Sequence, residues 1–168
     1  MIPFVSFRYK KEQISQEIIN SVEKIIESEL YVLGENTSKF EKNYANLINS
    51  NHCVGLGSGL DALIISLKSL GIKNGDEVIV PSNTYIATWL AISSVGAKII
   101  PVEPDIKTYN INPSLIEGKI TSKTRAIMPV HLYGQSCDMT RIMEIAKKNN
   151  LYVVEDNAQG HLSKWTNR

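Results

Sequence analysis

Four short apolar runs, each separated from the next by a segment of helical periodicity, constrain the fold more than any other feature of the chain. They are EVIVP at 77–81, AKIIPV at 97–102, AIMPVHL at 126–132 and LYVVE at 151–155. Strands that are apolar on both faces are typical of parallel sheets that helices cover on both sides. The pattern therefore predicts an α/β fold with three layers, in which a mainly parallel sheet lies between helices.

The segments before and between these runs carry apolar residues at helical spacing. They predict helices at 11–28, 40–49, 59–71, 84–96 and 138–150, the last capped by Asp138. HCVGL at 52–56 is predicted to form a further short strand, and Ser114 with Glu117 matches the capping box of a short helix. Because strands and helices alternate only after residue 50, we expect an N-terminal helical segment at 1–50 and the sheet within 51–168.

Charge and composition exclude several classes of protein. The 168 residues carry a formal net charge of +1 and their basic residues are dispersed, so neither nucleic acid nor a membrane is expected as a partner. No apolar stretch is long enough to span a bilayer, and the first residues do not match a secretory signal, so a cytoplasmic location is expected. Cys53 and Cys137 lie far apart without a CxxC motif, which predicts reduced thiols and no metal site.

Ligands of parallel α/β sheets bind at the carboxyl ends of the strands, and the first such end is rich in glycine. GLGSGLD at 55–61 places glycines before a predicted helix, whose free N–H groups favour an anion, so it predicts a phosphate site. A dinucleotide site is a weaker alternative. The GxGxG spacing lacks the full fingerprint, and the next strand ends in Pro81 and Ser82 instead of an acid.

Two later strand ends carry an aromatic ring and two carboxylates. Tyr85 follows the strand at 77–81, where its ring can cover a flat ligand or simply pack at a helix start. Glu155 and Asp156 are adjacent, and because strand side chains alternate, only one of them can face the site. A carboxylate beside a heteroaromatic nitrogen keeps that nitrogen protonated, as pyridoxal phosphate requires. A carboxylate that caps the following turn is the alternative.

Four motifs, taken together and in order, resemble the DegT/DnrJ sugar aminotransferases. They are GSGLDAL, GDEVIVPSNTYIAT, KTRAIMPVHLYGQSCDM and VVEDNAQ, and the resemblance spans nearly all 168 residues. These aminotransferases are pyridoxal-phosphate enzymes of the aspartate-aminotransferase fold, fold type I, and the motifs match the family's amino-terminal part. The resemblance thus implies an incomplete large domain of that fold, with the small carboxy-terminal domain absent.

The resemblance also implies roles for individual residues. It implies cofactor contacts by Ser58, Gly59 and Leu60 at the phosphate, and by Tyr85 as the aromatic that stacks on the ring. It further implies that Asp156 holds the pyridine nitrogen, that Gln159 lies near the ring oxygen and that His131 lines the substrate site.

The intact enzyme implied by the resemblance transfers an amino group from glutamate to a nucleotide-linked keto-6-deoxyhexose and works as a homodimer. A dTDP-linked 3-keto sugar is expected, because many 4-keto-sugar members carry histidine where Gln159 stands. A 4-keto-sugar aminotransferase and a non-catalytic remnant are the alternatives. The family's Schiff-base lysine follows the EDNAQ motif at a position beyond Arg168, and Lys164 does not match it. The 168 residues alone are therefore expected to be inactive.

Overall fold

The computed structural model describes residues 8–166 together with Pro3 and Ser6. Its contacts divide the chain into two compact units, Met1–Gly55 and Leu56–Arg168. The first unit contains helices, whereas the second contains a sheet with helices around it.

The first unit contains helix α1 at Arg8–Ser28 and helix α2 at Glu35–Leu47. Both confirm predicted helices, although α2 begins five residues earlier than its apolar pattern suggests. The earlier start follows from Gly34, whose extended backbone marks the N-terminal boundary, and from Glu35, which pairs with Lys39 at 2.7 Å one turn later. An acidic residue in the first turn is favourable because it faces the positive end of the helix dipole.

The sheet contains four parallel strands, which confirms the predicted fold class. They are β1 at Glu77–Pro81, β2 at Lys98–Val102, β3 at Thr124–Ile127 and β4 at Tyr152–Val153. Their spatial order is β2-β1-β3-β4, so β1 and β3 lie in the centre. The register places Ile79 beside Ile127, and Ile127 beside Val153.

Helices cover both faces of this sheet. They are α3 at Gly59–Ser69, α4 at Ile86–Ser94 and α5 at Met139–Lys148. Alternate strand residues point to opposite faces, as pleating requires. Val78 and Val80 pack in one cluster with residues of α3 and α4, and Ile79 packs in the other with residues of α5. The result is the three-layer arrangement that the continuous apolar strands predict.

Three predicted details are wrong. Residues 52–56 form no strand, because none of the described strands pairs with them and Gly55 offers no side chain to pack. The predicted strand at 126–132 ends at Ile127, because Pro129 has no N–H for the ladder and only an isolated bridge at Val130 follows.

The predicted capping box is the third. The segment forms two short 3-10 turns, Pro113–Leu115 and Glu117–Lys119, instead of one capped helix. Asn112 provides the cap, with its side-chain oxygen accepting from the Ser114 N–H at 3.0 Å. Pro113 fixes the first helical position, so the observed cap lies two residues before the expected cap, Ser114.

Within the part of the chain that the structure describes, every helix is too short or too polar to cross a membrane. The same described residues contain no cluster of three or more His, Cys, Asp or Glu side chains that could hold a metal ion.

Candidate active site at the carboxyl ends of the strands

Asp156 is a buried carboxylate just beyond β4, where it pairs with Val130 in an isolated parallel bridge. Its side chain is 8% exposed. One carboxylate oxygen, Oδ2, accepts from the Thr88 hydroxyl at 2.8 Å, and the other, Oδ1, accepts from the Ala158 N–H at 3.2 Å. Its backbone N–H donates to the Pro129 carbonyl at 2.9 Å. The carboxylate therefore has a fixed orientation.

Glu155 has a different set of partners, as strand alternation predicts. Its side chain is 51% exposed and lies 2.9 Å from Nε2 of His131. The Cys137 N–H donates to Nδ1 of the same ring at 3.1 Å, so Nδ1 carries no proton and Nε2 donates to Glu155. His131 is buried, and both of its ring nitrogens are occupied by groups of this chain.

Cys137 lies beside this pair but does not have the properties of a nucleophile. Its thiol donates to the Val130 carbonyl at 3.2 Å. Burial raises the pKa of the thiol to about 12, and the negative charge of Glu155 acts in the same direction. A thiol with such a pKa stays protonated and unreactive at neutral pH. Cys137 is therefore a reduced thiol in the core, and the sequence predicts a reduced thiol there.

Gln159 ties the segment after β4 to the turn after β3. Its side-chain oxygen accepts from the Tyr133 N–H at 2.8 Å. Tyr133 has a φ of 59°, a left-handed conformation that a non-glycine residue adopts at a cost. The hydrogen bond that the Tyr133 N–H donates to Gln159 helps to offset that cost. The Gln159 side chain is exposed, at the same edge of the sheet as Asp156.

Tyr85 stands at the N-terminal boundary of α4, and its ring is 71% exposed. The Thr88 N–H donates to the Tyr85 carbonyl at 3.2 Å, while the Thr88 hydroxyl binds Asp156. One buried threonine therefore joins the aromatic residue and the acid. The exposed ring leaves a face on which a flat ligand can stack.

The N-terminus of α3 is open to an anion. Ser58 caps the helix by accepting from the Asp61 N–H at 3.1 Å, and its hydroxyl donates to the Asp61 carboxylate at 2.8 Å. Apart from its chain neighbours and the backbone of its own helix, no described atom lies within 4 Å of the place where a side chain on Gly59 would begin. The first N–H groups of a helix have no partner within it, so those of Gly59 and Leu60 can bind phosphate.

The structure joins some of the predicted residues directly and others only through the fold. Asp156 contacts the backbone of His131, and Thr88 links it to Tyr85. Among the described contacts, none joins Ser58 to Asp156. Helix α3 packs against α4, which carries Thr88.

Sequence patterns alone do not single out two residues that shape this edge. Thr88 lies in an apolar helix, and its partner is 68 residues away, so no local spacing marks it. Asn110 is 2% exposed and holds the turn after β3: its oxygen accepts from the Leu132 N–H at 3.1 Å and its amide donates to the Gln135 carbonyl at 2.9 Å. No local sequence signal marks Asn110 either, because its burial and its two partners appear only in the fold.

Comparison with known proteins identifies the family of the chain. Residues 12–168 match the DegT/DnrJ/EryC1/StrS aminotransferase family. The chain is 53% identical over 161 residues to the dTDP-3-amino-3,6-dideoxy-alpha-D-galactopyranose transaminase of Aneurinibacillus thermoaerophilus, covering 96% of this chain and 44% of that protein. The chain thus spans less than half the length of the curated relatives it matches.

Solved structures show the same fold. DesV of S. venezuelae superposes with a TM-score of 0.96 at 42% identity, over 99% of this chain and 45% of that one. NtdA of Bacillus subtilis, solved with bound cofactor PMP, gives 0.89 at 34% identity, over 95% of this chain and 37% of that one. From the family match and these likenesses, the chain belongs to the DegT/DnrJ/EryC1/StrS aminotransferase family.

Proposed function

We propose that this chain supplies the cofactor-binding part of a pyridoxal-phosphate-dependent nucleotide-sugar aminotransferase. The observation that carries the proposal is the buried Asp156, fixed by Thr88 and Ala158 at the carboxyl end of a parallel strand. Family membership supports it, as does the PMP bound in a structural relative. The residues fit such a cofactor. The open helix N-terminus suits its phosphate, the exposed aromatic ring suits its flat ring, and the fixed carboxylate suits its protonated ring nitrogen.

Each residue has a proposed task toward the cofactor. The N–H groups at Ser58, Gly59 and Leu60 bind the phosphate, and Tyr85 covers one face of the ring and excludes water from it. When bound, pyridoxal phosphate supplies an electron-withdrawing ring, which is effective only while its nitrogen is protonated. Asp156 holds that proton, because a negative charge beside the nitrogen favours the protonated form.

Two further assignments concern Gln159 and His131. Gln159 lies near the ring oxygen, and its exposed side chain at this edge is compatible with that task. His131 lines the substrate site without offering a free ring nitrogen to the substrate, because both nitrogens are already bonded within this chain.

Asp156→Asn tests the cofactor site. The substitution keeps the size of the side chain and a hydrogen-bond acceptor, but removes the charge. We expect wild-type 1–168 to bind pyridoxamine phosphate weakly. In the complex with the variant, the ring nitrogen of pyridoxamine phosphate should be unprotonated at pH values where the wild type keeps it protonated. Pyridoxamine phosphate is the probe because it has no aldehyde that would react with surface lysines. A wild type that binds no pyridoxamine phosphate, or a variant that behaves as the wild type, contradicts the proposal.

The proposed substrate is a dTDP-linked 3-keto-6-deoxyhexose, with glutamate as the amino donor. The name of the A. thermoaerophilus relative, a dTDP-3-amino-sugar transaminase, supports the C3 position. Gln159 supports it too, since many 4-keto-sugar members of the family carry histidine there. We propose that the intact enzyme is a cytoplasmic homodimer, as the resemblance implies.

The test of the substrate uses a chimera that joins residues 1–168 to the remaining part of the A. thermoaerophilus transaminase. It is incubated with glutamate and with matched 3-keto and 4-keto sugar nucleotides. Mass spectrometry and NMR then identify the products. We expect amination at C3, and product aminated at C4 alone would favour the alternative 4-keto specificity.

A further inference from the structure

A chain of two threonine hydroxyls leads from the loop after β1 to Asp156. The Thr84 hydroxyl lies 2.9 Å from the Thr88 hydroxyl, and the latter lies 2.8 Å from Oδ2 of Asp156. Thr88 is 1% exposed, so water does not compete for its hydroxyl. The three groups form a hydrogen-bonded series that runs from the partly buried Thr84 through the buried Thr88 to the proposed cofactor acid.

The direction of the protons in this series is fixed by its last member. An ionised carboxylate only accepts hydrogen bonds, and a hydroxyl has a single proton to donate. Because Thr88 donates to Asp156, its oxygen must accept from Thr84. A hydroxyl that accepts one hydrogen bond becomes a better donor in the next, so Thr84 strengthens the bond to the carboxylate.

The same threonine also sets the position of the stacking aromatic. Thr88 lies in the first turn of α4, and its N–H donates to the carbonyl of Tyr85. The Asp156 carboxylate therefore lies near the N-terminal turn of α4, where the helix dipole favours negative charge. Thr88 couples the ring-stacking residue and the ring-nitrogen acid through one side chain and its own backbone.

We propose that Thr88 is a positioning residue that presents the Asp156 carboxylate to the cofactor's ring nitrogen, with Thr84 as its support. The inference rests on the proposed function. The hydroxyl of Thr88 occupies one lone pair of Oδ2, and the Ala158 N–H occupies one of Oδ1. The carboxylate is held in one rotamer, with its remaining lone pairs left for the ring. Without Thr88 it can rotate, and the ring nitrogen loses its partner for part of the time.

The test compares Thr88→Val, which removes the hydroxyl at nearly constant shape, with Thr88→Ser, which keeps it. Each variant of 1–168 is mixed with pyridoxamine phosphate labelled with nitrogen-15 in the ring, and NMR follows ring protonation through a pH titration. We expect the midpoint for Thr88→Val to fall by about one pH unit, equivalent to a tenfold weaker hold on the proton. Thr88→Ser should match the wild type, and Thr84→Val should give a smaller shift in the same direction.

Thr140→Val is the matched control, because Thr140 lies on α5 and its hydroxyl contacts Trp165. It should leave the titration unchanged. Thr88→Val that titrates as the wild type, while Asp156→Asn does not, overturns this inference alone. Should Asp156→Asn also titrate as the wild type, the proposed function itself is wrong. If Thr88→Val fails to fold, Thr84→Val decides: an unchanged midpoint overturns the inference and a lowered one supports it.

Discussion

Residue 160 has no room for a side chain. A Cβ placed on Gly160 would lie 2.4 Å from Oδ1 of Asn157 and 2.6 Å from Cβ of His131. The second of these atoms cannot move without the buried histidine, whose ring is held at both nitrogens. Glycine is therefore required at position 160 by the close approach of Asn157 and His131, and a larger residue would displace the segment that carries Asp156.

Gly160→Ala should destabilise the chain by about 1–3 kcal/mol, the usual cost of an overpacked site. Urea unfolding followed by circular dichroism measures the change. Gly118→Ala is the control, since no described atom beyond its own chain neighbours and helix backbone lies within 4 Å of the Cβ that it would add. Equal stability of the two variants would show that the segment around Gly160 can shift without cost.

Glu77 is a buried carboxylate at the opposite end of β1 from the proposed site. The Thr121 hydroxyl donates to it at 2.6 Å, and Lys98 lies 3.5 Å from its other oxygen. The bond from Thr121 lowers the pKa of Glu77 below its ordinary value; burial acts in the opposite direction, and the charge of Lys98 lowers it further. The folded chain therefore favours the ionised form of Glu77.

The lowered pKa predicts how stability depends on pH. Because the folded-state pKa lies below the unfolded one, the contribution of Glu77 is complete above the ordinary value of 4.5 and is lost as pH falls through the folded-state pKa. Glu77→Gln should flatten this acid-side decline in unfolding free energy, measured by urea titrations at several pH values. Glu35→Gln, at an exposed pair with Lys39, should change it much less. Identical acid-side slopes for Glu77→Gln and wild type would contradict the assignment.

At the scale of single elements, α5 offers a direct test of a cap. Asp138 accepts from the Arg141 N–H at 3.1 Å, as the sequence predicts. Asp138→Ala should cost about 1 kcal/mol of stability, the typical value for a lost N-cap. Asp138→Asn is the control, because asparagine caps about as well as aspartate. Equal losses for the two variants would show that charge, and not capping, matters at this position.

The elements that could be predicted are those whose signal is local. The apolar run of β1 and the periodicity of α5 are complete within their own segments, and both elements lie where expected. The predicted strand at 52–56 fails because a strand exists only with a partner, and partners are not local. The end of β3 was open to prediction, since Pro129 is visible in the sequence and forbids a ladder bond.

At the scale of the whole molecule, parallel topology collects groups that are far apart in the chain. Tyr85, His131 and Asp156 follow three different strands, and the sheet order places those strands side by side. The rule that ligands bind at the carboxyl ends of parallel strands points to these strand ends in the sequence, whereas the roles of His131 and Asp156 come from the resemblance to the family. It does not select Thr88, which acts from within a helix and is identified only when the strand and helix meet.

The last prediction concerns the activity of these 168 residues by themselves. We expect no amino transfer from glutamate. Covalent catalysis needs an amine that adds to the cofactor's aldehyde and later moves a proton, and in the family one lysine performs both tasks. Lys164 is exposed, and the resemblance to the family implies that it does not match the position of that lysine. On the proposed function, these residues bind the phosphate and the ring, and Lys164 does not take part in the covalent step.

Borohydride reduction shows directly whether a lysine of these 168 residues forms a covalent bond with the cofactor. Purified 1–168 is incubated with pyridoxal phosphate and reduced, and peptide mass analysis locates any lysine that carries the cofactor. We expect scattered, substoichiometric labelling of surface lysines, equal in Lys164→Arg and wild type apart from the lost residue. Amino transfer from glutamate is assayed in parallel. A stoichiometric adduct on Lys164, together with amino transfer that Lys164→Arg abolishes, would contradict the prediction and make Lys164 the catalytic residue.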